Sequence, residues 1–208
     1  MGEVRILGRV TSINVRKVRW AADLMGIGYT TEVWGLPDRD PKVPEFLALN
    51  PNGQVPVMIE DGFVLWESNA VMRYFAETRQ SPLLPTAPQD RALVDQWLTW
   101  QATELNPAWV YSVMALLRKN PAYGDAERIE ESIKRWTRMM EILEAQLQRS
   151  GTFVVGSALS LADIALALST HRWMSMPIDR PPFPATEAHY DRLKATPEGA
   201  DYFGAGIV

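Results

Sequence analysis

Residues 54–75, QVPVMIEDGFVLWESNAVMRYF, predict a strand, a tight turn, a second strand and a helix in direct succession. Asp61-Gly62 is a strong hairpin-turn signal between these strands. Pro56 falls inside the first predicted strand, although proline has no N–H to give to a strand ladder. Two interpretations stay open. Either Pro56 caps an edge strand, or a cis Val55–Pro56 bond ends the ladder and leaves the backbone of Val55 able to pair with a short bound peptide.

The residues before this stretch predict a β-α-β unit. Val4–Leu7 is a short apolar run typical of a buried strand, and residues 14–25 carry apolar side chains at helical spacing. Residues 29–34 are rich in β-branched and aromatic types, which favours a second strand. A β-α-β unit implies a parallel strand pair. The first half therefore predicts a small mixed sheet with helices packed on it.

The second half predicts helices only. The segment SPLLPTAP, residues 81–88, contains three prolines and is typical of a linker. We therefore predict a mixed-sheet domain at 1–80 and an all-helical domain at 89–208. The first predicted helix should bend near Pro107, because proline interrupts the helical hydrogen-bond pattern. The predicted helices span 90–118, 129–147, 161–173 and 187–195.

Composition excludes several classes of protein. Cysteine is absent, which excludes disulfides and thiolate metal sites, and only His171 and His189 are available to a histidine site, so we predict no metal. The net charge is -4 and neither half is basic, which argues against nucleic-acid binding. The chain has no apolar run long enough to cross a bilayer and no apolar signal-peptide core near its start, so we expect no membrane contact and a cytoplasmic location.

Glu67-Ser68 marks the point where the predicted hairpin passes into a helix. Ser68 is a natural N-cap, and a helix N-terminus attracts anions. Ser68 could serve as a cap alone. Together with Val55, however, it would suit a small peptide that ends in a carboxylate, and Glu67 would meet an amino group on the same ligand.

The segment Thr11-Ser12-Ile13-Asn14 precedes the first predicted helix. Ser12 could be only an N-cap. Alternatively, its hydroxyl could donate a hydrogen bond to a ligand thiolate, helped by the positive end of the helix, and thereby lower the pKa of the thiol. No histidine is near in sequence to act as a base, which argues against Ser12 as a covalent nucleophile.

These elements together resemble a cytosolic glutathione S-transferase, most of all the bacterial members with a serine or threonine and an asparagine in the first loop. NPNGQVPVM paired with ESNAV, and SLADIALA in the second half, carry the resemblance, which covers nearly the whole chain. It implies an α+β/α two-domain fold, with an N-terminal thioredoxin-like βαβ-ββα domain and a C-terminal all-α helical bundle. It also implies glutathione as a co-substrate, with no further cofactor, and a homodimer.

The resemblance implies a role for each residue of the glutathione site. Val55, before a cis Pro56, would pair through its backbone with the cysteinyl unit, while Glu67 and Ser68 would hold the γ-glutamyl end. Gln54 is a better candidate than Asn50 for a further polar contact. Lys42 would meet the glycyl carboxylate.

The resemblance also assigns the thiol chemistry to the first loop. Ser12 would activate the thiol, Asn14 would be a second donor, and Thr11 is a rival for Ser12. The first loop has no tyrosine and the chain no cysteine, which argues against the tyrosine-type transferases and the cysteine-dependent reductases of the same fold.

The helical half supplies two further expectations. Ser160 and Asp163 look like the family's helix-capping motif, a structural feature in which an acid three residues after the cap reaches back to it. Candidates for an apolar electrophile pocket are Trp97, Trp100, Glu104 and Trp109. The last residues, TPEGADYFGAGIV, indicate no function.

The leading hypothesis is conjugation of glutathione to a small apolar electrophile. A binding protein with little catalysis, and a glutathione-dependent peroxidase or isomerase on the same scaffold, are the alternatives. The binding protein would be retained on immobilised glutathione without turning over an aryl halide. A panel of hydroperoxides and electrophiles would distinguish the peroxidase or isomerase from a conjugating enzyme.

Overall fold

The computed structural model describes residues 2–204, so the outermost residues of the two predicted domains, Met1 and 205–208, lie outside the described part. The chain forms two compact units. One contains residues 2–84 together with 194–204, and the other contains residues 85–193. Residues 194–204, predicted with the helical half, thus group with the first unit. The domain limits drawn from the sequence, with a linker at 81–88, remain a prediction.

A four-stranded mixed sheet forms the centre of the first unit, as the sequence predicted. Its order is β2-β1-β3-β4, with β1 and β2 parallel and β3 antiparallel to both of its neighbours. Asp61 and Gly62 connect β3 to β4 and both have positive φ, of 49° and 83°, as a two-residue hairpin turn requires. The strands are β1 Val4–Leu7, β2 Tyr29–Glu32, β3 Val57–Glu60 and β4 Phe63–Trp66.

Three helices accompany this sheet: α1 Ile13–Leu24, the short α2 Pro44–Leu47, and α3 Ser68–Thr78. Val15 and Val18 of α1 share a fully buried apolar cluster with Val71 and Phe75 of α3 and with Met58 of β3. Because apolar residues recur at three- and four-residue spacing, each helix turns one stripe toward the sheet. This packing brings the starts of α1 and α3 close together.

Pro56 lies immediately before β3, and not within it as the sequence predicted. The ladder begins at Val57, which is paired with Leu7 of β1 and with Trp66 of β4. Since β3 has a neighbour on each side, the interpretation of Pro56 as the cap of an edge strand is wrong, and proline is excluded from the ladder for the expected reason. The Val55–Pro56 bond is cis.

Tyr202 and Phe203 pack on α1, and nothing in the sequence around them predicted this contact. Tyr202 stacks on Trp20 at 5.8 Å between ring centroids, and Phe203 meets the same indole edge-on at 5.2 Å. The Arg16 guanidinium donates to the carbonyl oxygen of Tyr202 at 3.0 Å, and the Tyr202 hydroxyl donates to Asp23. Burial, together with the Asp23 carboxylate, raises the pKa of the Tyr202 hydroxyl.

The second unit consists of helices, as predicted. Its first predicted helix is interrupted by a π-helical turn, Gln101–Leu105, directly before Asn106 and Pro107. Proline lacks the N–H needed for a regular helical bond, and a π turn absorbs such a local defect. No helix within residues 2–204 is long and apolar enough to cross a membrane. The α-helices are α4 Pro88–Trp100, α5 Asn106–Leu116, α6 Ala126–Ser150, α7 Leu161–Met174 and α8 Pro184–Lys194.

A buried carboxylate, Asp163, organises the start of α7. Its Oδ2 accepts from the backbone N–H of Ser160 at 2.8 Å and from the Ser160 hydroxyl at 2.7 Å. Its Oδ1 accepts from the backbone N–H of Val154 at 2.8 Å and lies 2.9 Å from Nε2 of His189. The motif at Ser160 and Asp163 therefore forms a capping box that also holds a loop and α8.

We expect Ser160→Ala to lower the free energy of unfolding by about 1 kcal/mol, because one capping hydrogen bond is lost. Asp163→Ala should cost about 3 kcal/mol or more, since it leaves several buried polar groups without their acceptor. Urea unfolding followed by tryptophan fluorescence would measure both. Equal losses for the two variants would contradict the central role of the Asp163 carboxylate.

Candidate functional site

A small recess in the first unit is lined by residues from three separate segments: the first turn of α1, the loop before β3 and the start of α3. It gathers six residues that the sequence singled out for glutathione or its thiol, and in addition Asn50. Thr11, Ser12 and Lys42 do not line it. The lining residues are Asn14, Asn50, Gln54, Val55, Pro56, Glu67 and Ser68.

The loop before β3 is shaped by Asn50. This side chain is buried, donates from Nδ2 to the carbonyl oxygen of Gln54 at 2.8 Å, and accepts the backbone N–H of Asn52 at 3.0 Å. Gly53 has φ of 58°, and a Cβ there would lie 2.9 Å from the carbonyl oxygen of Pro41. Glycine is therefore required at this turn, which leaves Gln54 exposed at the recess.

The start of α3 follows β4 without an intervening loop. Glu67 makes this turn with φ of 70° and ψ of 106°, a conformation that is uncommon for a residue other than glycine. Ser68 is the first residue of the helix, so the prediction that it is the N-cap is wrong, and Glu67 holds that position. The Ser68 hydroxyl donates to Oδ1 of Asn14 at 3.3 Å. The first N–H groups of a helix lack helical partners, so a helix start attracts anions, and the start of α3 lines the recess together with the exposed Glu67 carboxylate.

Ser12 occupies the N-cap position of α1, as predicted, and its carbonyl oxygen accepts from the backbone N–H of Arg16 at 3.0 Å. Its hydroxyl makes no capping hydrogen bond, so capping does not occupy this group. The hydroxyl oxygen of Thr11, by contrast, is buried and has no hydrogen-bond partner among the described residues.

Lys42 lies outside the recess, on the loop that precedes α2. Its Nζ donates to the carbonyl oxygen of Asn52 at 2.7 Å, and its side chain is exposed. This contact places the ammonium group beside the turn that carries Gln54.

Lys17 is a residue behind the recess that the sequence analysis missed. It is 1% exposed, and its Nζ donates to Oδ1 of Asn69 at 2.9 Å. Burial lowers the pKa of Lys17 from 10.5 to about 7; the Glu67 carboxylate opposes this shift and the Arg73 guanidinium adds to it. The spacing of Asn14 and Lys17 places both on one face of α1, but only the fold shows that this face meets α3.

The four residues predicted for an electrophile pocket all lie in the second unit. Trp97 is 6% exposed and meets Trp100 edge-on at 5.1 Å, while Trp109 packs against Trp136 at 6.2 Å. Glu104 is exposed on the π-helical turn. A groove in this unit is lined by other residues, among them Pro107, Tyr111, Tyr123 and Arg128.

Within residues 2–204 there is no group of three or more histidine, aspartate or glutamate side chains placed to hold a metal ion. The recess offers hydrogen-bond donors, the start of α3 and the Glu67 carboxylate.

Two domain families match this chain. The glutathione S-transferase N-terminal domain matches residues 11–78, and the glutathione S-transferase C-terminal domain matches residues 102–197.

Individual glutathione S-transferases match most of the chain. Glutathione S-transferase GstB of Escherichia coli K12 is 30% identical over 197 residues, which cover 93% of this chain and 94% of that protein. Glutathione S-transferase 3 of Zea mays is 30% identical over 201 residues, covering 94% of this chain and 87% of the maize protein.

Solved structures agree with these matches. The theta class glutathione S-transferase of Xanthomonas axonopodis pv. citri, with glutathione bound, superposes with a TM-score of 0.93 at 32% identity and covers 100% of both chains. A glutathione S-transferase of Pseudomonas fluorescens Pf-5 has a TM-score of 0.83 at 31% identity, covering 94% of this chain and 96% of that one.

The lowered pKa of Lys17 predicts a pH-dependent stability. Between about pH 7 and 10.5 the unfolded chain holds a proton on Lys17 that the folded chain has released, so stability should rise with pH in this window, by at most about 1.4 kcal/mol per pH unit. Below pH 7 this contribution becomes constant. Urea unfolding at pH 7, 8 and 9 should show the rise in the natural chain and a weaker one in Lys17→Met. Identical slopes for the two proteins would contradict the assignment.

Proposed function

The chain belongs to the glutathione S-transferase family, and on this basis we propose that it binds glutathione in the recess at the starts of α1 and α3 and conjugates its thiol to a small apolar electrophile. The observation that carries the proposal is the meeting of Asn14, Val55, Glu67 and Ser68 in one recess. These residues provide a donor for a thiol, a backbone strand edge, a carboxylate and a helix N-terminus at a single place.

The γ-glutamyl end of glutathione has an ammonium and a carboxylate on one carbon. We assign the ammonium to Glu67 and the carboxylate to the backbone N–H of Ser68 at the start of α3, since the Ser68 hydroxyl donates to Asn14. The cysteinyl unit then pairs with the backbone of Val55, which lies just before the ladder of β3 begins. Both ends of this segment are held by charge-assisted or backbone hydrogen bonds, so the sulfur is fixed in position.

The glycyl end would lie toward the loop before β3. Gln54 is exposed at the recess and can contact the peptide backbone of the ligand. Lys42, whose ammonium lies beside this loop, is the candidate partner of the glycyl carboxylate.

We assign thiolate stabilisation to Ser12, with Asn14 as a second donor. An unperturbed cysteine thiol has a pKa of about 8.5, so only about 3% is ionised at pH 7. A hydroxyl donor and the positive end of α1 favour the thiolate, and a lower pKa increases the reactive fraction. Ser12 is preferred to Thr11 because the hydroxyl oxygen of Thr11 is buried.

The bound thiolate then attacks an electrophile held beside it, and proximity supplies the remaining rate enhancement. Trp97, Trp100, Glu104 and Trp109 remain our candidates for contact with the electrophile. As sequence resemblance implies, we further propose a homodimer in the cytoplasm, and light scattering on the purified protein tests the oligomeric state.

Ser12→Ala should reduce turnover of an aryl halide such as 1-chloro-2,4-dinitrobenzene by about 100-fold, with a smaller change in KM for glutathione, since the lost hydrogen bond acts on the thiolate. The pKa read from the pH dependence of kcat should rise toward the value of a free thiol. Ser150→Ala, a hydroxyl deletion at the end of α6, is the matched control. A larger loss in Thr11→Val than in Ser12→Ala would transfer the role to Thr11.

Glu67→Gln should raise the KM for glutathione about tenfold and change kcat little, because the carboxylate contacts the ligand away from the reacting sulfur. Steady-state kinetics with varied glutathione measure both constants. A fall in kcat with an unchanged KM would contradict this assignment.

A further inference from the structure

We propose that Lys17 is a positioning residue for the γ-glutamyl end of glutathione: it ties α1 to the first turn of α3 and supplies a positive charge behind the ligand's carboxylate. This inference rests on the proposed function of the recess, because it concerns the same ligand. It adds a residue that does not line the recess and that is hidden from solvent.

Two parallel links join α1 to α3 at this place. Asn14 accepts from the Ser68 hydroxyl at 3.3 Å, and Lys17 donates to Asn69 at 2.9 Å. The two residues of α1 are three positions apart and therefore share one helix face, while their partners are consecutive on α3. The first turn of α3 is thus held at two adjacent points from the same helix.

The turn that these links hold is one that the local sequence does not favour. Glu67 has φ of 70° between β4 and α3, and no loop relieves the change in chain direction. Such conformations persist where the surrounding structure determines them. Loss of the Lys17 link would allow the first turn of α3 to shift, and Glu67 and Ser68 would move with it.

A buried lysine amine lowers stability more than an apolar side chain would if its role were only to join two helices. Removal of a lysine from water disfavours its charged form, and an apolar residue of similar size would fill the same space at a lower cost. The Glu67 carboxylate favours the ammonium form of Lys17, and the Arg73 guanidinium disfavours it. The balance leaves the pKa of Lys17 at about 7, so its charge changes near neutral pH.

A ligand carboxylate at the start of α3 would add a negative charge close to Lys17 and so raise its proton affinity. By linkage, the ligand must then bind more tightly when Lys17 is protonated. We therefore expect affinity for the γ-glutamyl end to decrease as the pH rises from 6 to 8.5.

The test uses S-methylglutathione, whose blocked sulfur removes the titration of the thiol. Calorimetric titration of the full chain at pH 6.0, 7.0 and 8.5 gives the Kd for the natural protein, Lys17→Met and the control Arg19→Met, which removes a cation from another face of the same helix. The amino group of the ligand titrates identically against all three proteins, so the difference between them reports Lys17.

For the natural chain and Arg19→Met, we expect Kd to rise severalfold across this range, with about tenfold as the limit for a one-unit increase of the pKa on binding. Lys17→Met should bind at least about fivefold more weakly at pH 6.0 and lack that rise. A second variant, Asn69→Ala, keeps the amine and removes its acceptor. Asn69→Ala should bind more weakly at every pH and keep the rise of Kd with pH. This variant provides the test if Lys17→Met does not fold.

Equal Kd values and pH profiles for the natural chain and Lys17→Met overturn the inference and leave the proposed function intact, as does an Asn69→Ala variant that binds like the natural chain. A natural chain that shows no binding at millimolar S-methylglutathione, and no retention on immobilised glutathione, overturns the proposed function itself.

Discussion

The packing of α1 against α3 on one face of the sheet is the constraint on which the candidate site depends. Buried Val15 and Val18 meet Val71 and Phe75 across this contact. Because two helices that share a sheet face begin close together here, Asn14 of α1 and Ser68 of α3 line one recess. The apolar core thus determines where the polar chemistry lies.

Each of the two units has a buried ionisable side chain that contacts the first turn of a helix. In the first unit, Lys17 joins α1 to Asn69 near the beginning of α3. In the second, Asp163 joins the start of α7 to Val154 and to His189 of α8. Both side chains would be costly to bury without partners, and both have them. The difference is that we assign Asp163 to folding, whereas Lys17 lies directly behind residues that we assign to the ligand.

Local sequence patterns predicted a turn, strand or helix well where its backbone conformation depends only on neighbouring residues. Asp61-Gly62 indicated a hairpin turn, and both residues have the positive φ that this turn needs. The π-helical turn before Pro107 was predicted only as a bend, because the sequence does not show how the extra residue of the turn is accommodated. The start of β3 at Val57, three residues later than predicted, follows from pairing with β1 and β4 on both sides, which is a property of the sheet.

By itself, the amino-acid sequence determined the mixed sheet, the helical second half, the family resemblance, and the residue types Ser12, Val55, Glu67 and Ser68, because spacing, turn chemistry and capping act over a few neighbouring residues. Only the tertiary structure decided that the hydroxyl of Thr11 is buried, that Lys17 faces Asn69, and that Tyr202 packs on Trp20. Those outcomes join residues far apart in the chain. Burial and charge at such contacts depend on which helix faces meet, and a local pattern contains no information about that choice.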